Sequence, residues 1–150
     1  MTNQQLPISF REKSAWISLV LLLLFGAIYG WNFVRVLADQ RAFNDIYLFF
    51  ALVAALIVAE VALHLAVALR SPEEARTPRD ERERLIDLKA TRVAFYVLMI
   101  GAFASIGTVH LRLRDRGDHT FVMMHSVFLS LVVAEVVKFG SQIALYRRDA

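Results

Sequence analysis

Glu60, His64, Glu135 and Lys138 lie inside stretches of the chain that are otherwise apolar. Glu135 and Lys138 are spaced i,i+3 and can pair on one helix face. Glu60 and His64 are spaced i,i+4 and share a face for the same reason. At about 1.5 Å of rise per residue, Glu60 stands roughly 15 Å from the end of its stretch at Arg70. Glu135 stands at nearly the same depth. Two chemistries fit these four residues. In the first, Lys138 neutralises one or both glutamates and fixes helix register, since charges at such depth turn inward toward a partner. In the second, two acids compete for one lysine in a low-dielectric site, so one glutamate keeps a proton. Glu60, with His64 beside it, would then be the proton site of a small coupled transporter.

The other histidines, His110, His119 and His125, lie toward the far ends of their stretches. Facing histidines on neighbouring membrane helices can ligate a b-type haem. His110 and His125 would have to turn inward at one depth to do so, and His64 has no opposing histidine at its own depth. Asp115, Asp118 and His119 could bind a divalent ion, although hard ligands in a short loop are more often simply solvated. The chain has no cysteine, which removes disulfides, thiolate metal sites and cysteine nucleophiles. No serine–histidine–acid arrangement is suggested by spacing. The sequence therefore reads as non-enzymatic, with neither a cofactor nor a resident metal.

Four elements must position these residues. The 150-residue chain is 57% hydrophobic. Its apolar stretches, about 15–36, 45–69, 92–112 and 120–146, each approach the roughly 20 residues that cross a hydrocarbon core. A bilayer core offers no water to free backbone groups, so each stretch must be helical. The expected fold is all-α, a single domain of four transmembrane helices in an antiparallel up-down bundle. A helical connection, 71–91, joins the second and third spans. The first span lacks a small-residue cleavage site after Asn32-Phe33-Val34-Arg35 and reads as a retained signal anchor.

Basic residues set the orientation. Arg11, Lys13, Arg70, Arg76, Arg79, Arg82, Arg84, Lys89, Arg92, Arg147 and Arg148 would share one side of the membrane. Arg35, Arg41, Arg112, Arg114 and Arg116 would lie on the other. The heavier side is expected to be cytoplasmic, with both termini inside. Trp16 and Tyr146 would anchor the inner interface, and Tyr29, Trp31 and Tyr47 the outer one.

Small residues mark the expected packing faces: Gly26 and Gly30 in the first span, an alanine ladder of Ala51, Ala55, Ala59, Ala62 and Ala66 in the second, and Gly101, Ser105 and Thr108 in the third. Such residues let membrane helices approach closely. Packing inside the bundle is their plainer use, and a homodimer contact through Gly26 and Gly30 is the other. Val58-Ala59-Glu60-Val61 recurs as Val133-Ala134-Glu135-Val136, a hint of two duplicated hairpins. Ser9-Phe10-Arg11-Glu12 has the form of a capping box. Asp80 and Arg84 are spaced to support a third helix that starts well before its apolar part and projects into the cytoplasm. Arg82, Arg84, Leu85 and Leu88 would be the docking residues of that extension for a protein partner. A merely solvated, topology-setting helix explains the same charges. Acids nearly balance the bases here, which argues against a purely electrostatic lipid clamp.

The run Asp80-Glu81-Arg82-Glu83-Arg84-Leu85-Ile86-Asp87-Leu88-Lys89-Ala90-Thr91-Arg92, the segment Val133-Ala134-Glu135-Val136-Val137-Lys138 and the Tyr146-Arg147-Arg148 end resemble a pattern in small uncharacterised bacterial inner-membrane proteins. Those families are domains of unknown function, sometimes encoded beside small helix-turn-helix regulators. The resemblance implies a bacterial inner membrane and carries over no activity. The expected function is that of a regulatory, sensory or accessory membrane subunit acting through its cytoplasmic extension. The proton-coupled transporter is the alternative. The expected partners are the bilayer, a second copy of the chain, or another protein, and not nucleic acid.

Overall fold

A computed structural model of the chain describes residues 10–39, 46–73, 78, 80–112 and 119–148. They form four long helices: α1 (Phe10–Asp39), α2 (Ile46–Arg70), α3 (Glu81–Arg112) and α4 (His119–Arg148). Each is long and apolar enough to cross a membrane. Apolar side chains are spread around these helices instead of gathered on one stripe. Leu24, Val58, Leu69, Ile100 and Phe103 are all exposed by more than half. That is ruinous in water and ordinary against lipid tails, which are as apolar as leucine.

The helices pack in the order α2, α1, α4, α3. α4 makes extensive contact with α3 and α1, and α2 reaches the bundle mainly through α1. No residue in the apolar window of α2 is buried, which marks it as the edge helix. Its inward face carries Phe49, Leu52, Val53 and Leu56, which pack onto the core of Phe25, Tyr29 and Val132. The alanine ladder was expected inside the bundle. Ala51, Ala55, Ala62 and Ala66 are instead exposed. They lie on the side of α2 away from Phe49 and Leu56, because aromatic contact decides which face turns in. The Phe49 and Phe128 rings meet edge-on with centroids 5.0 Å apart, and the Phe49 and Tyr29 rings at 5.9 Å.

Gly26, Gly30 and Gly101 each lie against a side chain of α4. A Cβ on Gly26 would meet Val132 Cγ1 at 3.2 Å, and one on Gly30 would meet Leu129 Cδ2 at 3.9 Å. Both therefore face α4, so within the chain that face is already occupied. A Cβ on Gly101 would fall 2.7 Å from Ser130 Cβ, closer than any real contact. Only glycine lets α3 come this near α4. Ser105 Oγ lies 3.2 Å from Ser130 Oγ across this crossing, while each hydroxyl donates to a carbonyl of its own helix, Ser105 to Gly101 at 2.8 Å and Ser130 to Ser126 at 2.9 Å.

α3 begins at Glu81, where Asp80 caps it. Asp80 Oδ1 accepts from the Glu81 amide at 2.7 Å, and the Asp80 carbonyl accepts the first helical bond from Arg84 at 3.1 Å. At 32 residues, α3 is about 48 Å long and outruns a hydrocarbon core of about 30 Å. The excess does not project freely. Ile86, Ala90 and Ala94 are buried at i,i+4 spacing, and polar contacts tie this face to α1 and α4.

A candidate polar site where three helices end

The start of α1, the start of α3 and the end of α4 come together through opposite charges. Arg11 Nε stands 2.6 Å from Glu83 Oε2. Arg147 Nε donates to Glu12 Oε1 at 3.2 Å, and its guanidinium lies 5.3 Å over the Trp16 ring. Glu12 itself is buried, so its paired arginine offsets the cost of removing a carboxylate from water. Gln142 Nε2 donates to Asp87 Oδ1 at 2.8 Å. Beside these contacts lies a half-open cavity of about 270 Å³, lined by Phe10, Arg11, Ser14, Glu83, Asp87, Lys138, Phe139, Gln142 and Tyr146 among others.

Glu60, His64, Glu135 and Lys138 are divided between separate contacts. Lys138 Nζ donates to Glu135 Oε2 at 3.4 Å, the i,i+3 pair expected from spacing. Its ammonium also lies 5.3 Å over the Phe139 ring. Glu60 does not reach Lys138. It is half-buried on α2 and makes no hydrogen bond or ion pair among the described residues. The reason is helix order: α1 separates most of α2 from α4. His64 turns to α1, where Nδ1 lies 3.0 Å from Ser14 Oγ and Nε2 lies 3.1 Å from Ser18 Oγ. A neutral imidazole has one donor and one acceptor nitrogen, and a hydroxyl can serve either, so both ring nitrogens are satisfied at once. The two Val-Ala-Glu-Val segments thus sit in different surroundings, one at the edge and one at the centre.

Toward the opposite end, Tyr29 Oη hydrogen-bonds His125 Nδ1. His125 is flanked by the Tyr29 and Phe33 rings, with centroids at 5.8 and 5.9 Å. Tyr29 was expected at an interface. It is 1% exposed, because His125 satisfies its hydroxyl inside the protein. His110 is exposed on α3, whereas His125 packs against rings of α1 and α2. Asp115 and Asp118 lie outside the described residues, as does the side chain of His119. Among the described residues, no three potential ligands gather as a metal site would require.

Arg82, Arg84, Leu85 and Leu88 are exposed, with Leu85 at 55% and Leu88 at 65%. They lie on the face of α3 turned away from Ile86 and Ala90. Ser14, Ser18 and Gln142 are not among the residues that the spacing of charged residues alone singles out. Ser14 and Ser18 carried a usable signal, two hydroxyls at i,i+4 on one face of an apolar span. Gln142 had no signal that local spacing could give, since its partner Asp87 is far away in the chain. Compared with known proteins, the chain matches no protein-family model, no curated protein and no solved structure.

Proposed function

We propose that this is a multi-pass membrane protein that works by association and not by catalysis, through the exposed face of the first turns of α3. The observation that carries the proposal is the two-sidedness of that segment. One face is fastened to α1 and α4 through Glu83–Arg11, Asp87–Gln142 and the buried Ile86 and Ala90. The other presents Leu85 and Leu88 beside Arg82 and Arg84, and its rigid backing lowers the ordering cost a partner must meet. Leucines rimmed by arginine make a small apolar anchor with a polar edge, the anatomy of a protein interface.

In this reading the helices alternate up and down, with the Phe10, Glu81 and Arg148 ends together on the cytoplasmic side of a bacterial inner membrane. Contact of Glu12 with Arg147 and of Tyr29 with His125 supports the alternation. The excess of basic residues supports the sidedness. Proton-coupled transport draws less support. It needs Glu60 and Glu135 to compete for Lys138, yet Glu60 stands apart and is not among the residues lining the cavity.

The test is quantitative co-purification from native membranes with Arg82→Glu/Arg84→Glu. A partner retained in stoichiometric amount by the wild type is expected to be lost, while the variant stays monodisperse. Equal recovery with both proteins would sink the proposal.

A further inference from the structure

The half-open cavity between α1, α3 and α4 has a lining that is unusual for a packing defect. Two cationic side chains, Arg11 and Lys138, and two carboxylates, Glu83 and Asp87, face one space of about 270 Å³. A void left by imperfect packing is apolar and dry. Charged side chains of both signs around one half-open cleft offer complementary contacts to an occupant.

The charges select its class. A simple anion would meet Glu83 and Asp87, and a simple cation would meet Arg11 and Lys138. A ligand bearing both signs can place each charge against its complement. The Lys138 pair is the loosest of the cavity's charge contacts: Nζ is 3.4 Å from Glu135, against 2.6 Å for Arg11 and Glu83. Lys138 is therefore the donor most easily shared with a phosphate. Asp87, held by Gln142 Nε2 at 2.8 Å, is fixed in place to receive an ammonium. A carboxylate accepts N–H bonds, so a primary ammonium suits it and a quaternary one, with no N–H, does not. Size agrees. The volume falls at or below the lower end of small-ligand pockets, about 300 Å³, so it admits a headgroup and not acyl chains. Position agrees too. The cavity lies where three membrane helices end, beside Tyr146 and the Trp16–Arg147 contact, at the level where lipid headgroups sit.

We propose that the cavity formed by Arg11, Glu83, Asp87 and Lys138 binds an ammonium–phosphate zwitterion of the phosphoethanolamine type. The phosphate would lie toward Lys138 and Arg11, and the primary ammonium toward Asp87 and Glu83. This rests on the membrane placement of the helices and is independent of the partner-docking surface, which lies on the outward face of α3.

The experiment is native mass spectrometry of the full-length protein in detergent, titrated separately with phosphatidylethanolamine, phosphatidylcholine and phosphatidylglycerol of identical acyl chains, and with soluble phosphoethanolamine. Retention of phosphatidylethanolamine is expected to exceed that of the other two lipids by about ten-fold, the equilibrium factor of one charge-assisted hydrogen bond. Asp87→Asn should erase the preference, Lys138→Met should weaken retention of all three lipids alike, and Lys138→Arg should restore it. Soluble phosphoethanolamine that displaces the lipid would support the same chemistry with a free source. Failure to displace, with the lipid preference intact, would assign the lipid as source. Equal retention of ethanolamine and choline lipids by the wild type would overturn the proposal, whatever the variants do. So would a preference that survives Asp87→Asn.

Discussion

At the scale of single residues, the closest approach in the protein depends on one missing methyl group. Gly101 lets α3 touch Ser130, and an added Cβ would sit 2.7 and 2.8 Å from Ser130 Cβ and Oγ. Gly101→Ala gains helix propensity worth about 1 kcal/mol and loses about 1–3 kcal/mol to overpacking. The loss wins, and a lower unfolding midpoint in detergent is expected. Gly107→Ala meets nothing within 4 Å and should match or slightly exceed the wild type. The opposite ranking would mean that α3 and α4 do not cross at Gly101. This contact was legible in the sequence, since Gly101 and Ser105 are small residues at i,i+4 spacing. The partner of each polar residue was less so. Glu135–Lys138 follows from local spacing, whereas His64 was read beside Glu60 and is held by Ser14 and Ser18. Spacing along one helix says nothing about which neighbouring helix a side chain meets.

At the scale of elements, α2 is the helix whose attachment most needs explanation. No hydrophobic force drives helix association in lipid, so packing and polar contacts must hold it. The aromatic cluster around Phe49 fastens one end, and the His64 bonds to Ser14 and Ser18 the other. Interhelical hydrogen bonds in membrane proteins average about 0.6 kcal/mol. His64→Leu should therefore cost about 1 kcal/mol by the same detergent unfolding assay, softened as the freed serine hydroxyls bond back to carbonyls of their own helix. Ala55→Leu, on the exposed face of α2, should change nothing. A His64→Leu midpoint equal to the wild type would show that these bonds do not fasten α2. The existence of all four helices could be read from length and apolarity alone. The inward face of α2 could not, because apolar residues surround it and its periodicity is weak. The alanine ladder suggested the wrong face, since small residues mark close packing only where a neighbour is present.

At the scale of the whole molecule, the described end of the charged connection, from Glu81 onward, packs into the bundle. Its length and its cap at Asp80 agree with a helix that starts before the membrane. Its docking through Glu83 and Asp87 depends on residues brought from both ends of the chain. The result is a fixed platform at one end, with Leu85 and Leu88 outward and the charged cavity inward. The partner-docking proposal needs that platform to face the cytoplasm. The absence of native cysteine makes this directly measurable. Leu88→Cys, in vesicles of defined orientation, would be treated with a membrane-impermeant maleimide. The account predicts rapid labelling in inside-out vesicles and none in right-side-out vesicles until they are permeabilised. Labelling from the outside of intact right-side-out vesicles would contradict the orientation, and with it the proposal that α3 meets a cytoplasmic partner.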